Sequence, residues 1–281
     1  MVRTVVPRLF SVPRLDCTLI DIHSHALYGV DDGAKTFDDS LEMIAMAAEH
    51  GTTELVVTPH ANPTYPFDPA IIADRLAEMN EAAMGVLKIY SGCDFHITYD
   101  NVMDACRNPH KYTINHKNYL LVEFSDLLIF ENTADLFSQL LDAGMIPIIT
   151  HPERNALLRE KLEDIAQWVE NGALVQITGQ SLTGKFGHRC QDFCKRLIEH
   201  ELAHFVASDG HDCEKRPPVL DEAKAWLSKH CGSGVAHTLC VLNPKAAVQG
   251  TPLPKPIGRS RSHSTSHSQH HTPERKWLGI F

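Results

Sequence analysis

Short apolar runs that end in potential metal ligands recur along this sequence. Each run has the length and the β-branched content of a buried parallel strand. In barrels of parallel strands the active site forms at the C-terminal strand ends, so we expect the side chains at these ends to converge. Six such runs indicate a multinuclear metal site. Their terminal ligands are His23 and His25 in the first run, then His60, Asp94, Glu123 and His151, and finally Asp209 with His211.

The spacing inside two of these runs strengthens the interpretation. His23 and His25 are two residues apart at a strand end, as are Asp209 and His211, so the members of each pair point to one face. The loop Val30-Asp-Asp-Gly-Ala34 has two interpretations: it forms an Asx-type turn, or Asp32 supplies a hard oxygen ligand above the site. Any single motif of this kind is weak, because a lone histidine is more often a hydrogen-bonded structural residue.

The complete set of candidate ligands is too large for one ion and suits a cluster of two or three. Mixed imidazole and carboxylate ligands favour Mn, Fe or Zn over Ca or Mg alone, and we take Mn as the first expectation. A buried carboxylate is costly unless a cation or a donor network compensates it, so Asp94 and Glu123 support each other as ligands. The nine candidates are His23, His25, Asp32, His60, Asp94, Glu123, His151, Asp209 and His211.

Two arginines follow the ligand-bearing runs. Arg154 comes three residues after His151, and Arg216 comes five residues after His211, so both belong to loops just beyond strand ends. Arginine offers planar, bidentate donors for phosphate oxygens, although either residue is equally compatible with a role in bracing its loop. Arginines beside a metal cluster favour hydrolysis of a phosphate ester.

Charge and composition narrow the classes of function. The net charge of −9 is uneven, because the segment from residue 255 onward carries +4 and the first 254 residues carry −13. Such an acidic body disfavours nucleic-acid binding, which depends on Lys and Arg contacts with phosphates. No apolar stretch approaches the roughly 20 residues that span a bilayer. The N-terminus lacks the apolar region of a signal peptide, so we expect a cytoplasmic protein whose eight cysteines are reduced.

Strands and helices alternate along the chain, which predicts an α/β fold. An open doubly wound sheet fits this alternation almost as well as a barrel, but only a closed ring lets six strand ends face one centre. We expect residues 17–250 to form the domain, with an N-terminal extension at 1–16 and a Ser/His-rich, disordered tail at 251–281. The predicted strands are 17–23, 54–58, 88–92, 119–123, 146–150, 173–178 and 204–208, with helices at 37–50, 68–87, 132–143, 159–171, 187–200 and 217–230 and irregular chain at 93–118.

The motifs occur together in a recognisable order. Asp21-Ile-His-Ser-His25, the Val-Asp-Asp-Gly-Ala loop, Thr58-Pro-His60, Thr150-His-Pro-Glu-Arg154 and Ser208-Asp-Gly-His211 follow one another. Over about residues 17–250 the chain resembles the bacterial PHP-type (polymerase and histidinol phosphatase) protein-tyrosine phosphatases, which accompany tyrosine kinases in capsule and exopolysaccharide synthesis. The resemblance implies a distorted seven-stranded α/β barrel, the PHP fold, with a trinuclear metal site.

The resemblance also implies a distribution of the ligands. His23, His25 and Asp209 would hold the first metal, Glu123 and His151 the second, and Asp32, His60 and His211 the third. Asp94 would bridge the first two metals at a position where the family usually has glutamate, and Thr178 replaces a usual asparagine.

The implied activity is hydrolysis of protein phosphotyrosine by a hydroxide that the metals make available, with Arg154 and Arg216 neutralising charge on phosphate. The implied partner is a bacterial tyrosine kinase of polysaccharide synthesis. Two alternatives stay open: a hydrolase of a small phosphate monoester such as histidinol phosphate, and a metal-binding regulator that has lost catalysis.

Overall fold

A computed structural model of the protein describes residues 18–254. The predicted N-terminal extension and the tail beyond residue 254 lie outside the described residues. Nine parallel strands form the centre of the described part: β1 Leu19–Ser24, β2 Thr52–Val57, β3 His60–Ala61, β4 Lys88–Ser91, β5 Asp94–His96, β6 Tyr119–Glu123, β7 Ile146–Thr150, β8 Leu174–Thr178 and β9 Phe205–Ala207.

The nine observed strands correspond to the seven predicted strands, because two of these resume as a second short strand after a break of two residues. Thr58 and Pro59 separate β2 from β3, and Gly92 and Cys93 separate β4 from β5. The interruptions divide the strands into a sheet of order β1-β2-β4 and a sheet of order β3-β5-β6-β7-β8-β9. The α/β class with parallel strands is confirmed. Closure into one seven-stranded barrel is not confirmed, because neither sheet closes on itself.

Ten helices are defined in the described residues: α1 Phe37–Glu49, α2 Pro69–Ala82, α3 Tyr99–Arg107, α4 Thr133–Asp142, α5 Leu162–Glu170, α6 Gly179–Leu182, α7 His188–Glu199, α8 Asp221–His230, α9 Ser233–His237 and α10 Asn243–Gln249. Single 3-10 turns occur at Ile114–His116 and Leu158–Glu160, and a π-helical turn occurs at Thr238–Leu242. Among residues 18–254, none of the helices has the length and apolar character needed to cross a membrane.

Three helix predictions were wrong in detail. The helix α2 stops five residues before the predicted end at 87, because Met84 (φ 50°) and Gly85 (φ 77°) take left-handed backbone conformations. The segment 93–118, predicted as irregular, contains β5 and α3. The N-terminus of α3 is capped by the Thr98 side chain, which accepts a hydrogen bond from the Asn101 backbone N–H. The last predicted helix, 217–230, begins only at Asp221, after Pro217 and Pro218, and the chain continues beyond it into α9 and α10.

Helix α10 packs under the N-terminal ends of the strands. Ala247 and Val248 of α10 are buried against an apolar cluster that includes Ile22 of β1, Leu121 of β6 and Phe205 of β9. The Asn243 side chain donates a hydrogen bond of 2.8 Å to the His204 carbonyl, and Lys245 pairs with Glu54 at 2.5 Å. One end of the strands is thereby covered, and the C-terminal ends are left to form a site.

Backbone hydrogen bonds join the outer strands of the two sheets at that site. The Asp209 N–H donates to the His23 carbonyl at 2.8 Å, and the His25 N–H donates to the Gly210 carbonyl at 2.7 Å. A single parallel bridge, between Ser24 and Gly210, accompanies these bonds. The chain after β9 is therefore fixed beside the end of β1.

Partly buried His204, just before β9, makes the stability of the fold sensitive to acid. Its Nδ1 accepts a hydrogen bond of 3.2 Å from the Val175 N–H, and burial lowers the pKa of His204 to about 4. An unfolded imidazole has a pKa of about 6.5. Protonation therefore favours the unfolded chain, so the stabilisation is complete above about pH 6.5 and is lost as the pH falls toward 4.

We expect His204→Asn to reduce the loss of unfolding free energy between pH 7 and pH 5 by roughly 1–2 kcal/mol. Asparagine keeps an acceptor for the Val175 N–H but does not titrate. Urea titrations in EDTA measure the effect, with exposed His200→Asn as the matched control. The same pH dependence in His204→Asn and in the wild type would contradict the assignment.

Candidate metal centre

The predicted ligands converge at the C-terminal ends of the strands. Four overlapping groups have ligand atoms that all lie within 4.8 Å of one another. They are His25, Asp32, His60 and His211; His23, His25 and Asp94; His23, His151 and Asp209; and His60, Asp94 and Glu123. Each of the nine candidates belongs to at least one group, so the structure brings the whole predicted set together.

The joined ends of β1 and β9 set the geometry of one part of this cluster. Asp209 Oδ1 lies 3.4 Å from His23 Nε2 and 3.3 Å from His25 Nε2. The two histidine Nε2 atoms are 3.3 Å apart. Ligand atoms about 2.0–2.2 Å from a common transition-metal ion lie about 3–3.5 Å from one another. The three side chains therefore have the spacing of ligands around one ion.

Two candidate ligands have a backbone conformation that non-glycine residues rarely adopt. His151, directly after β7, has a φ of 32°, and Asp209 has a φ of 52°. Such conformations cost about 1–3 kcal/mol each and persist where the surrounding structure determines them, often at functional sites. The strand-end position of both residues was predictable, whereas their left-handed backbone was not.

The loop after β1 combines the two roles that the sequence left open. Asp31 forms the Asx-type turn, because its Oδ1 accepts from the Gly33 N–H at 2.9 Å. Asp32 is the potential ligand, with Oδ1 at 3.3 Å from His60 Nε2 and 3.5 Å from His211 Nε2. Gly33 is required here, because a Cβ atom at this position would overlap the His25 carbonyl group.

Asp94 lies at the centre of the cluster. Its Oδ2 is 3.6 Å from His23 Nε2, 3.4 Å from His60 Nδ1 and 3.9 Å from His151 Nε2. Asp94 Oδ2 and His60 Nδ1 are buried, and neither has a hydrogen-bond partner among residues 18–254. Two such orphaned polar atoms would be costly without a third group between them. Their chemistry and their separation fit a divalent cation.

Three histidines are oriented by partners on the far side of their rings. His23 Nδ1 pairs with Gln176 Oε1 at 2.9 Å, and His25 Nδ1 pairs with Asp31 Oδ2 at 2.7 Å. His211 Nδ1 lies 2.9 Å from the Asp209 carbonyl oxygen. Each contact suits an Nδ1–H donor, which leaves Nε2 free to bind a metal.

The electrostatics of the cluster favour cations. Burial opposes ionisation of Asp94, but the surrounding imidazoles of His23, His151 and His60 hold the pKa of Asp94 well below its ordinary value. Burial likewise lowers the pKa of His25, yet the charge of Asp31 outweighs it and raises that pKa to about 9. Burial and the charge of His25 lower the pKa of His211 to about 3. Bound metals must displace the shared protons, so metal binding weakens as the pH falls.

Arg154 and Arg216 converge on one carboxylate oxygen at the edge of the cluster. Arg216 Nη2 donates to Asp209 Oδ2 at 2.6 Å, and Arg154 Nη1 donates to the same oxygen. The two side chains are 23% and 26% exposed. Arg154 also lines a cavity of about 120 Å³ together with Glu123 and His151. Both arginines are thus held next to the ligands, and Arg154 faces space that an anion could occupy.

The sequence interpretation missed several side chains around the centre. His96 Nδ1 lies 3.5 Å from Glu123 Oε2, and the two-residue spacing from Asp94 could have revealed it. Buried Gln176, on β8, and Asp31 have no comparable signal, because a single polar residue on a strand or in a turn is common. Thr178 does not belong to any ligand group among the described residues, and its N–H donates to buried Glu153 at 2.8 Å.

We expect Asp31→Ala and Gln176→Ala each to weaken metal binding by about 10- to 100-fold, because His25 and His23 lose the partners that orient them. Competition of the purified protein with a chromogenic chelator measures the affinity. Asp38→Ala is the matched control, because Asp38 is an exposed residue in the first turn of α1. Unchanged affinity in both site variants would show that these contacts do not position the ligands.

Comparison with known proteins identifies the family of the chain. The family described as "Capsular polysaccharide synthesis, CpsB/CapC" matches residues 19–249. Tyrosine-protein phosphatase YwqE of Bacillus subtilis is 36% identical over 225 residues, which cover 79% of this chain and 88% of YwqE. Tyrosine-protein phosphatase CpsB of Streptococcus pneumoniae is 29% identical over 239 residues, which cover 82% of this chain and 98% of CpsB.

The fold agrees with these relatives. A solved structure from the pair YwqE and CpsB, which are metal-dependent tyrosine phosphatases, matches with a TM-score of 0.79 and 33% identity. The match covers 86% of this chain and 100% of that chain. The chain therefore belongs to the CpsB/CapC family of capsular polysaccharide synthesis.

Proposed function

We infer that the protein is a metal-dependent phosphatase that removes phosphate from protein tyrosine residues. The observation that carries this inference is the convergence of nine imidazole and carboxylate ligands beside two arginines. The relatives of this chain are tyrosine-protein phosphatases, so a phosphorylated protein is the substrate expected for this centre. The family description further supports a role in capsular polysaccharide synthesis.

We propose that the ligands hold three divalent transition metals, with Mn as the first candidate and Fe or Zn as alternatives. His23, His25 and Asp209 would hold the first metal, a grouping supported by their separations of 3.3–3.4 Å. Glu123 and His151 would hold the second, with Asp94 shared between both. Asp32, His60 and His211 would hold the third. When bound, such metals supply an activated water nucleophile and Lewis-acid stabilisation of phosphate.

The protein's own contribution to catalysis is positional and electrostatic. Arg154 and Arg216 bind the non-bridging oxygens of the phosphate and neutralise the charge that grows on them as the ester bond breaks. Asp209 fixes both guanidinium groups through one oxygen, so they are oriented before substrate binds. The phenol that leaves has a pKa of about 10, so it can depart as phenoxide with less help from a proton donor than an alcohol needs.

Two aromatic rings beside the centre favour an aryl ester over an alkyl phosphate. The Tyr65 ring stacks on His60 with centroids 5.9 Å apart and an interplanar angle of 19°. The Phe186 ring lies 4.8 Å from the Arg154 guanidinium carbon. Both rings are partly exposed and offer apolar contacts to a phenyl group.

Several finer features are part of the same proposal. The Ser24–Gly210 bridge and the direct succession of β2 with β3 and of β4 with β5 support a distorted seven-stranded barrel. We propose that residues 17–250 form the catalytic domain, flanked by an extension at 1–16 and a tail at 251–281. The physiological substrate would be a bacterial tyrosine kinase of polysaccharide synthesis. The buried free thiols of Cys93, Cys194 and Cys240 fit a cytoplasmic location.

A substrate comparison with metal removal tests the function. We expect EDTA to abolish hydrolysis of a phosphotyrosine peptide and Mn to restore it, because activation of the attacking water requires bound divalent metal. The kcat/KM for this peptide should exceed the values for a phosphoserine peptide and for histidinol phosphate. His151→Ala should not recover with Mn, whereas the exposed His188→Ala control should. Faster turnover of histidinol phosphate would instead favour the small-molecule phosphatase, and full metal binding without turnover would favour the regulator.

Removal of either arginine should slow catalysis without emptying the metal centre. We expect Arg154→Ala and Arg216→Ala each to lower kcat/KM on the phosphotyrosine peptide by about 10²- to 10³-fold, as for other groups that stabilise transition-state charge. Arg154→Lys should lie between, because lysine keeps the charge but loses the bidentate geometry. Exposed Arg189→Ala is the control. A rise in KM with kcat unchanged would assign the arginines to substrate binding alone.

A further inference from the structure

An exposed pair of leucines lies beside the candidate active site. Leu127 is 89% exposed and Leu128 is 50% exposed, and both lie in the loop that follows β6. Only five large apolar side chains are exposed among residues 18–254, and these two are adjacent. Neighbouring exposed apolar side chains of this size mark interaction sites more often than scattered single ones do. We call Leu127 and Leu128 the leucine shelf.

The loop that carries the leucine shelf is held in place on both sides. Before the shelf, the Ser125 carbonyl accepts from Asn155 Nδ2 at 2.9 Å, and Ser125 Oγ accepts from the Leu127 N–H at 3.1 Å. After the shelf, Ile129 and Phe130 pack against the main core. The two leucines are therefore exposed although the loop is anchored, and a prearranged surface loses little entropy when a partner binds.

The shelf directly follows residues that line the cavity beside Arg154. Phe124 and Asp126, which precede Leu127, line that cavity together with His151 and Arg154. Asn155, which anchors the loop, lines it as well. The loop that lines this cavity therefore also carries the shelf, so residues that neighbour a phosphate held at Arg154 can reach it.

Charge around the shelf narrows the chemistry of the partner. Exposed Asp126 and Glu131 flank the two leucines, so an acidic segment would be repelled. An apolar side chain with neutral or basic neighbours is complementary. We propose that the leucine shelf docks an apolar residue that flanks the phosphotyrosine of a protein substrate. The proposal rests on the proposed function, because it extends the same site to the residues around the phosphate.

The test compares three substrates of the metal-loaded full chain. They are a phosphotyrosine peptide with leucine on both sides of the phosphotyrosine, the same peptide with glycine at those positions, and p-nitrophenyl phosphate. The variant is Leu127→Ser with Leu128→Ser, which changes only exposed side chains. We expect its KM for the leucine-flanked peptide to rise about 5- to 20-fold, as the loss of one or two apolar contacts implies. The other two substrates should change less than about twofold.

Met84→Ser is the matched control, because Met84 is 73% exposed but follows α2 at the N-terminal side of β4. It should leave all three substrates unchanged. The proposal would be overturned if the wild type had the same KM for both peptides. It would also be overturned if the shelf variant lost activity equally on all three substrates. Dissociation of an oligomer in the shelf variant with no change in peptide KM would overturn it too, because the shelf would then be a self-association surface.

Failure of the proposed function has a different signature. In that case the wild type would not turn over p-nitrophenyl phosphate or either peptide. Fluorescence anisotropy of the two labelled peptides then tests the shelf separately. Weaker binding of the leucine-flanked peptide by the shelf variant supports docking, and equal binding by the variant and the wild type contradicts it.

Discussion

The burial of Asp94 and Asp209 among five histidines is the constraint on which the rest of the structure depends. Removing two carboxylates from water costs several kcal/mol each unless opposite charges and hydrogen bonds compensate them. Here Asp209 is paired with two arginines and three imidazoles, and Asp94 is surrounded by three imidazoles. One oxygen of Asp94 still lacks a hydrogen-bond partner in the described part of the chain. A metal cluster satisfies this electrostatic demand, and the same charges suit the binding of phosphate.

The fold meets this constraint by separating stability from function at the two ends of the strands. At the N-terminal ends, α10 and the apolar residues of the strands form a closed core. At the C-terminal ends, the strands give way to loops in which His151 and Asp209 have left-handed backbones. The breaks between β2 and β3 and between β4 and β5 fall directly before His60 and Asp94. Irregular backbone is therefore concentrated where ligands must be aimed at a common centre.

Much of this arrangement could be predicted from the sequence, because ligands at strand ends follow a regular rule. All nine predicted ligands lie in the cluster, and both arginines lie at its edge. The partners that orient the ligands could not be predicted in this way. Gln176 reaches His23 across 153 residues of sequence, and nothing in the sequence of the loop marks Asp31 as the partner of His25. Likewise, α10 depends on long-range packing rather than on a local pattern, and the joining of β1 to the chain after β9 depends on two backbone hydrogen bonds.

The central claim is that the buried cluster is a multinuclear metal centre, and the metal content of the protein tests it most directly. Mass spectrometry of the elements in protein purified without chelators should give two or three equivalents of divalent transition metal per chain. Asp94→Ala should lower this number, because Asp94 contacts three of the histidines. Less than one equivalent in a wild-type preparation with full activity on a phosphotyrosine peptide would contradict the account.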